Sequence, residues 1–158
     1  MLETFKKKGD INIVDFLSLD LICHLELKNR DDIIEYLVKQ AHSHQKLQDF
    51  ASFEKAVFER EKLVSTGIGL EVAIPHAKLK EQDKFFIAIG ILKEGVEWDA
   101  LDKLPVRIIF LIGGPENSQT EYLKILSSLT LAIKDEEKRK KILSSKTPTE
   151  VYRLFEQH

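Results

Sequence analysis

The chain has 158 residues, 43% of them hydrophobic, which is the size and apolar content of one globular unit with a continuous core. Its 24 basic and 26 acidic residues leave a formal charge of -2, so there is no broad basic field to hold a nucleic-acid backbone and no nucleic-acid partner is expected. Cys23 is the only cysteine, which excludes an intramolecular disulfide and multi-thiolate zinc sites.

Residues 1–10 read as a short basic leader with no apolar stretch for export, and 11–158 as one unit without repeats or linkers. A first strand is expected over Leu21 to Leu27, where the apolar setting of Cys23 predicts a buried thiol and a reducing cytoplasm. Ile34, Leu37, Val38 and Ala41 then recur at helical spacing, with Asn29 and Asp32 suited to the helix start. A second helix carries Leu47, Phe50, Phe53 and Val57 on its apolar face and runs to about Glu61, before a turn at Gly67-Ile68-Gly69.

Three β-branched apolar segments follow, Val72 to Ile74, Phe86 to Leu92 and Val106 to Ile112, and read as central strands. The longest apolar run, Phe85 to Leu92, is too short to span a bilayer, so no direct membrane insertion is expected. After a Gly113-Gly114-Pro115 turn, Ser118 and Glu121 have the spacing of a capping box for a helix with Tyr122, Ile125, Leu126, Leu129 and Ile133 on one face. Asp135 to Leu143 is a charged helix, and Thr147-Pro148-Thr149-Glu150 opens a last one carrying Val151, Leu154 and Phe155. The fold class that follows is α/β, a single-domain sandwich of a mixed central β-sheet flanked by helices.

The chemistry concentrates between Arg60 and Lys78. In a strand, Val72, Ile74 and His76 share a face, and His76 falls at the strand's carboxyl end, where open α/β sheets bind ligands. A neutral imidazole there is a nucleophile at physiological pH, provided its other nitrogen is fixed by a backbone carbonyl. Phosphoryl transfer suits this setting. Arg60 offers a planar fork of donors, and the Ser65-Thr66-Gly67-Ile68-Gly69 segment offers hydroxyls and amides at close approach. Such a step demands in-line positioning and charge stabilisation, with no cofactor and no metal; His42 and His44, two apart on a helix, diverge and make a poor metal pair. Taken alone, Arg60 is also explained as a helix-end cation and Tyr122 as an amphipathic core residue.

Arg60-Glu61, Ser65-Thr66-Gly67-Ile68-Gly69 and Ala73-Ile74-Pro75-His76 resemble the signature of the fructose/mannitol-type enzyme IIA domains of the bacterial phosphoenolpyruvate-dependent sugar phosphotransferase system. Trp98-Asp99-Ala100-Leu101-Asp102 and Pro105-Val106 follow in the family's order, the resemblance spans Ile11 to Phe155, and the nitrogen-regulatory branch is the most similar. The resemblance implies that His76 accepts a phosphoryl group from an HPr-like histidine phosphocarrier, with Arg60, Ser65, Thr66, Gly67 and Gly69 lining the site. It implies as partner either an acceptor enzyme IIB or a regulatory target.

Two positions depart from the family pattern. Tyr122 stands where the family commonly has a second histidine, and its hydroxyl, in the first turn of a helix, is placed to face the phosphoryl oxygens. At Leu70-Glu71 the family usually has a small or polar residue followed by glycine. Three functions compete at this stage: a relay in sugar uptake, a module regulated by the phosphorylation of His76, and an unphosphorylated interaction domain that keeps the fold.

Overall fold

A computed structural model describes residues 11–156, so the leader expected over 1–10 lies outside the described residues. Two short 3-10 turns, Ile13–Phe16 and Leu19–Leu21, lead into strand β1, Ile22–Leu25, shorter at both ends than expected. Helix α1 spans Arg30–Ser43, and its start is as expected: the Asn29 side chain accepts the Asp32 N–H at 2.8 Å. Helix α2 spans Phe50–Leu63 behind an Asp49 cap, so Leu47 lies ahead of the helix, although it is buried. Three short strands follow, β2 (Gly67–Gly69), β3 (Val72–Ala73) and β4 (His76–Leu79), and then two long ones, β5 (Phe86–Val96) and β6 (Val106–Pro115). Helices α3 (Gln119–Lys134), α4 (Glu136–Ser144) and α5 (Pro148–Glu156) close the chain.

The six strands form one mixed sheet in the order β1-β5-β6-β3-β2, with β4 also paired to β6. The β5–β6 pair is antiparallel, while β1 runs parallel to β5 and β3 and β4 parallel to β6. Both faces are covered. Phe86, Ala88 and Leu92 pack with α1 and α2 through Leu37, Phe53 and Val57, while Ile87, Ile89 and Ile91 pack with α3 to α5 through Ile125, Leu129 and Val151. This two-sided burial explains why Phe86 to Leu92 is a continuous apolar run without alternation. The mixed sheet flanked by helices is the expected architecture.

Three expectations near the site are corrected. Gly113-Gly114-Pro115 is the end of β6, not a turn: a Cβ on Gly113 would lie 2.4 Å from the Phe86 ring and one on Gly114 2.0 Å from Phe85, so the glycines admit these two rings. Because β6 runs on, the strand containing His76 does too, with Ala77, Lys78 and Leu79 facing Gly113, Gly114 and Pro115. Gly67-Ile68-Gly69 is likewise a strand, paired to β3, and the turn falls at Leu70-Glu71, where both residues have positive φ (59° and 67°). Left-handed backbone at two adjacent non-glycine residues is costly. Here the Leu70 N–H donates to Asp102 Oδ2 at 2.9 Å, and the Glu71 carbonyl accepts from Arg107 and Ile108 at 2.8 and 3.0 Å. Finally, the Ser118 side chain makes no cap hydrogen bond, so the capping box does not form.

Candidate functional site

Although Ile74 and Pro75 separate them, β3 and β4 keep a single register along β6: Val72 lies opposite Ile108 and His76 opposite Ile112. The Pro75 carbonyl keeps the ladder by accepting the Ile112 N–H at 3.0 Å. The alternation therefore survives, and Val72, Ile74 and His76 all face α3. The His76 ring lies 5.7 Å from the Tyr122 ring, centroid to centroid, at 43°.

His76 Nδ1 is 2.9 Å from the Ile74 carbonyl. Since a carbonyl can only accept, Nδ1 carries the hydrogen and Nε2 keeps its lone pair. Burial is the main cause that holds the His76 pKa below its usual value; the Ile74 bond opposes it, the charges of Arg60 and Lys78 reinforce it, and that of Glu61 opposes it. Burial thus favours the neutral ring, and the Ile74 bond favours the tautomer with its hydrogen on Nδ1 and its lone pair on Nε2.

Beneath the imidazole lies a chain of bonds that begins at a buried carboxylate. Glu61, 3% exposed, accepts the Thr66 N–H through Oε2 at 2.7 Å and the Thr66 hydroxyl through Oε1 at 2.6 Å. The same hydroxyl accepts Trp98 Nε1–H at 3.2 Å. The Thr66 carbonyl takes the Ile74 N–H at 2.9 Å, and Ile74 in turn holds His76. The orientation of the imidazole is therefore tied to Glu61 through Thr66 and Ile74.

Arg60, in the last turn of α2, donates through Nη1 to the Val64 carbonyl at 2.8 Å, and its charge acts on both His76 and Tyr122. Tyr122 is buried on α3, and burial pushes its phenol pKa up while Arg60 draws it down. Lys78, two residues beyond His76 on the same strand, sets its Nζ 4.3 Å from the Tyr122 ring centroid and donates to Gln119 Oε1 at 2.6 Å. Neither Arg60 nor Lys78 forms an ion pair with a carboxylate among the described residues. Two cations acting on an imidazole favour negative charge in the space around it.

Ser65 and Thr66 stand next to this group, but their hydroxyls are engaged within the protein. Ser65 Oγ donates to the Trp98 carbonyl at 2.5 Å and accepts the Gly67 N–H at 3.0 Å. Gly67 is required by packing, since a Cβ there would lie 2.8 Å from that of Ala100, and Gly69 by its φ of 100°. Sequence reasoning gave no role to Glu61, Lys78 or Trp98. Glu61 did carry a signal: it continues the buried Phe53, Val57 face by four residues, and a carboxylate in the last turn of a helix opposes its dipole.

The mixed sheet thus presents an imidazole fixed through Nδ1, acted on by the charges of Arg60 and Lys78, neither of which is paired with a carboxylate among the described residues. The family model described as "Phosphoenolpyruvate-dependent sugar phosphotransferase system, EIIA 2" matches residues 15–158, and the chain belongs to this family. It is 33% identical over 135 residues to the fructose-specific EIIABC component of Bacillus subtilis, covering 85% of this chain but only 21% of that protein's length. The fructose-specific EIIA component of Haloferax volcanii is 30% identical over 141 residues, covering 85% of this chain and 92% of its own. Among solved structures, the nitrogen regulatory protein IIA-Ntr of Neisseria meningitidis superposes with a TM-score of 0.84 at 30% identity, covering 90% of this chain and 98% of that one. No helix among the described residues is long and apolar enough to cross a membrane.

Proposed function

We propose that residues 11–158 form a phosphocarrier unit that takes a phosphoryl group on Nε2 of His76 from an HPr-like phosphohistidine protein. The group then passes to an acceptor such as an enzyme IIB, or its presence on His76 sets the affinity for a regulatory target. The observation that carries this reading is the bond from His76 Nδ1 to the Ile74 carbonyl, which leaves Nε2 as the free nucleophile beside Arg60. In the transfer, the Nε2 lone pair attacks phosphorus as the donor's N–P bond breaks. The electron pair of that bond returns to the donor imidazole, which leaves neutral, and His76 keeps its Nδ1 proton throughout. Arg60 and the Tyr122 hydroxyl face the charge that spreads over the phosphoryl oxygens. Ser65, Thr66, Gly67 and Gly69 serve this site by fixing the segment that holds Ile74 and hence the imidazole.

The test is incubation with phosphoenolpyruvate, enzyme I and HPr, followed by assay for acid-labile, base-stable phosphate. Wild type is expected to label and His76→Ala to remain unlabelled with its fold intact; labelling that persists in the variant refutes the assignment. The Tyr122 ring beside His76 favours one rival, an unphosphorylated interaction domain, which predicts no label on wild type but label on Tyr122→His.

A further inference from the structure

Lys78 is held in an unusual way for a half-buried cation. Its ammonium rests on the face of the Tyr122 ring, 4.3 Å from the centroid, and its hydrogen bond goes to a neutral amide oxygen, Gln119 Oε1, at 2.6 Å. No carboxylate pairs with it among the described residues. Its charge is therefore met only by a quadrupole and a dipole. Tyr122 is also the ring that flanks His76, at 5.7 Å, so the ammonium is no farther from the imidazole than the two separations combined. His76 and Lys78 are i and i+2 on β4, which puts both side chains on the same face of the sheet.

This geometry leaves the anion as the missing partner. A phosphoryl group on Nε2 would bring close to two negative charges into the space shared by His76, Tyr122 and Lys78. The bond to Gln119 carries charge on the donor alone, whereas a bond to that anion carries charge on both partners and adds their Coulomb attraction, and a lysine stem reaches several positions by rotation. The cation–π contact is too weak to hold the ammonium against that pull.

We propose that Lys78 is a second phosphoryl-binding residue, which rests on Tyr122 and Gln119 in the unphosphorylated protein and moves its ammonium to the phosphoryl oxygens once His76 is phosphorylated. Tyr122 and Gln119 are then positioning residues. They keep the cation beside the nucleophile without quenching it, and Gln119, the exposed first residue of α3, loses its lysine partner when the phosphoryl group arrives. The state of His76 is thereby written onto the surface at the start of α3. This inference rests on phosphorylation of His76, as proposed above.

The experiment uses phosphoramidate, which phosphorylates histidine without a donor protein, and follows the phosphohistidine by phosphorus NMR as pH is varied. A cation on the phosphoryl oxygens favours the dianion. Lys78→Met is therefore expected to raise the protonation midpoint of the phosphoryl group by about one pH unit, and Lys78→Arg to restore most of the difference. The Gln119 side-chain amide signals are expected to shift on phosphorylation in wild type and to stay fixed in Lys78→Met. Gln119→Ala, which removes the competing acceptor, leaves the midpoint at or below that of wild type. A Lys78→Met protein that phosphorylates and titrates like wild type overturns the role of Lys78 while leaving the phosphocarrier reading in place. A wild-type protein that forms no phosphohistidine overturns both.

Discussion

Glu61→Gln tests whether the buried carboxylate governs the nucleophile. The substitution keeps the shape of the side chain, so no cavity opens, but it replaces one of the two acceptor oxygens by an NH2 donor. Both oxygens are in use, one for the Thr66 N–H and one for its hydroxyl, and that hydroxyl already accepts from Trp98. With the amide oxygen kept on the Thr66 N–H, the NH2 faces the Thr66 hydroxyl, so the O–H loses its carboxylate acceptor and a charge-assisted bond is exchanged for a neutral one made to the second lone pair of that oxygen. The expected cost is about 2 kcal/mol, or a fall of about 4–8 °C in Tm for a chain of this size. Trp98, the only tryptophan, sits inside the network and reports unfolding by its fluorescence. The second readout has its own sign. Since the Glu61 charge raises the His76 pKa, removing it lowers the imidazole midpoint further, which ring-proton NMR resolves. An unchanged Tm would show that the carboxylate is solvated and not part of the network, and a raised His76 midpoint would refute the coupling between the two groups.

Two further outcomes are expected. Tyr122→Phe keeps the ring packing beside His76 and Phe85 but removes the hydroxyl; phosphotransfer from phospho-HPr should slow by roughly ten- to hundredfold, and Tyr122→His should preserve or raise it. Normal transfer by the Phe variant, with a lower Tm for the His variant, would instead make Tyr122 a core residue. The pH dependence follows from burial of His76, whose folded pKa lies below the unfolded value of about 6.5. The unfolded chain binds the proton first, so this contribution to stability is complete above about pH 6.5 and is lost as pH falls from there through the folded midpoint. Denaturant midpoints for wild type and His76→Ala should converge or cross over that window, and parallel curves would mean that the imidazole is not desolvated.

Much of the molecule is determined by local sequence, for local reasons. The helix starts at Asn29 and Asp135 work through side chains three residues from the amides they receive, and the two-sided burial of β5 is written in its uninterrupted apolar run. His76, Arg60 and Tyr122 were singled out by residue type and spacing together with a family resemblance. The errors came where a partner distant in sequence decides the conformation. Gly113 and Gly114 look like a turn because glycine is the residue of turns, yet their lack of a Cβ serves the rings of Phe85 and Phe86 across the sheet. Leu70-Glu71 is a poor turn sequence, and Asp102, Arg107 and Ile108 bond that backbone in place. The bond network of Glu61, the engagement of the Ser65 and Thr66 hydroxyls with Trp98, and the perch of Lys78 on α3 join residues between 5 and 44 positions apart. Sequence alone determined which groups were available, because caps, periodicity and residue chemistry act over a few residues. Only the tertiary structure decided which hydrogen bonds those groups spend on one another, because a donor or acceptor satisfied inside the fold is no longer free to meet a ligand.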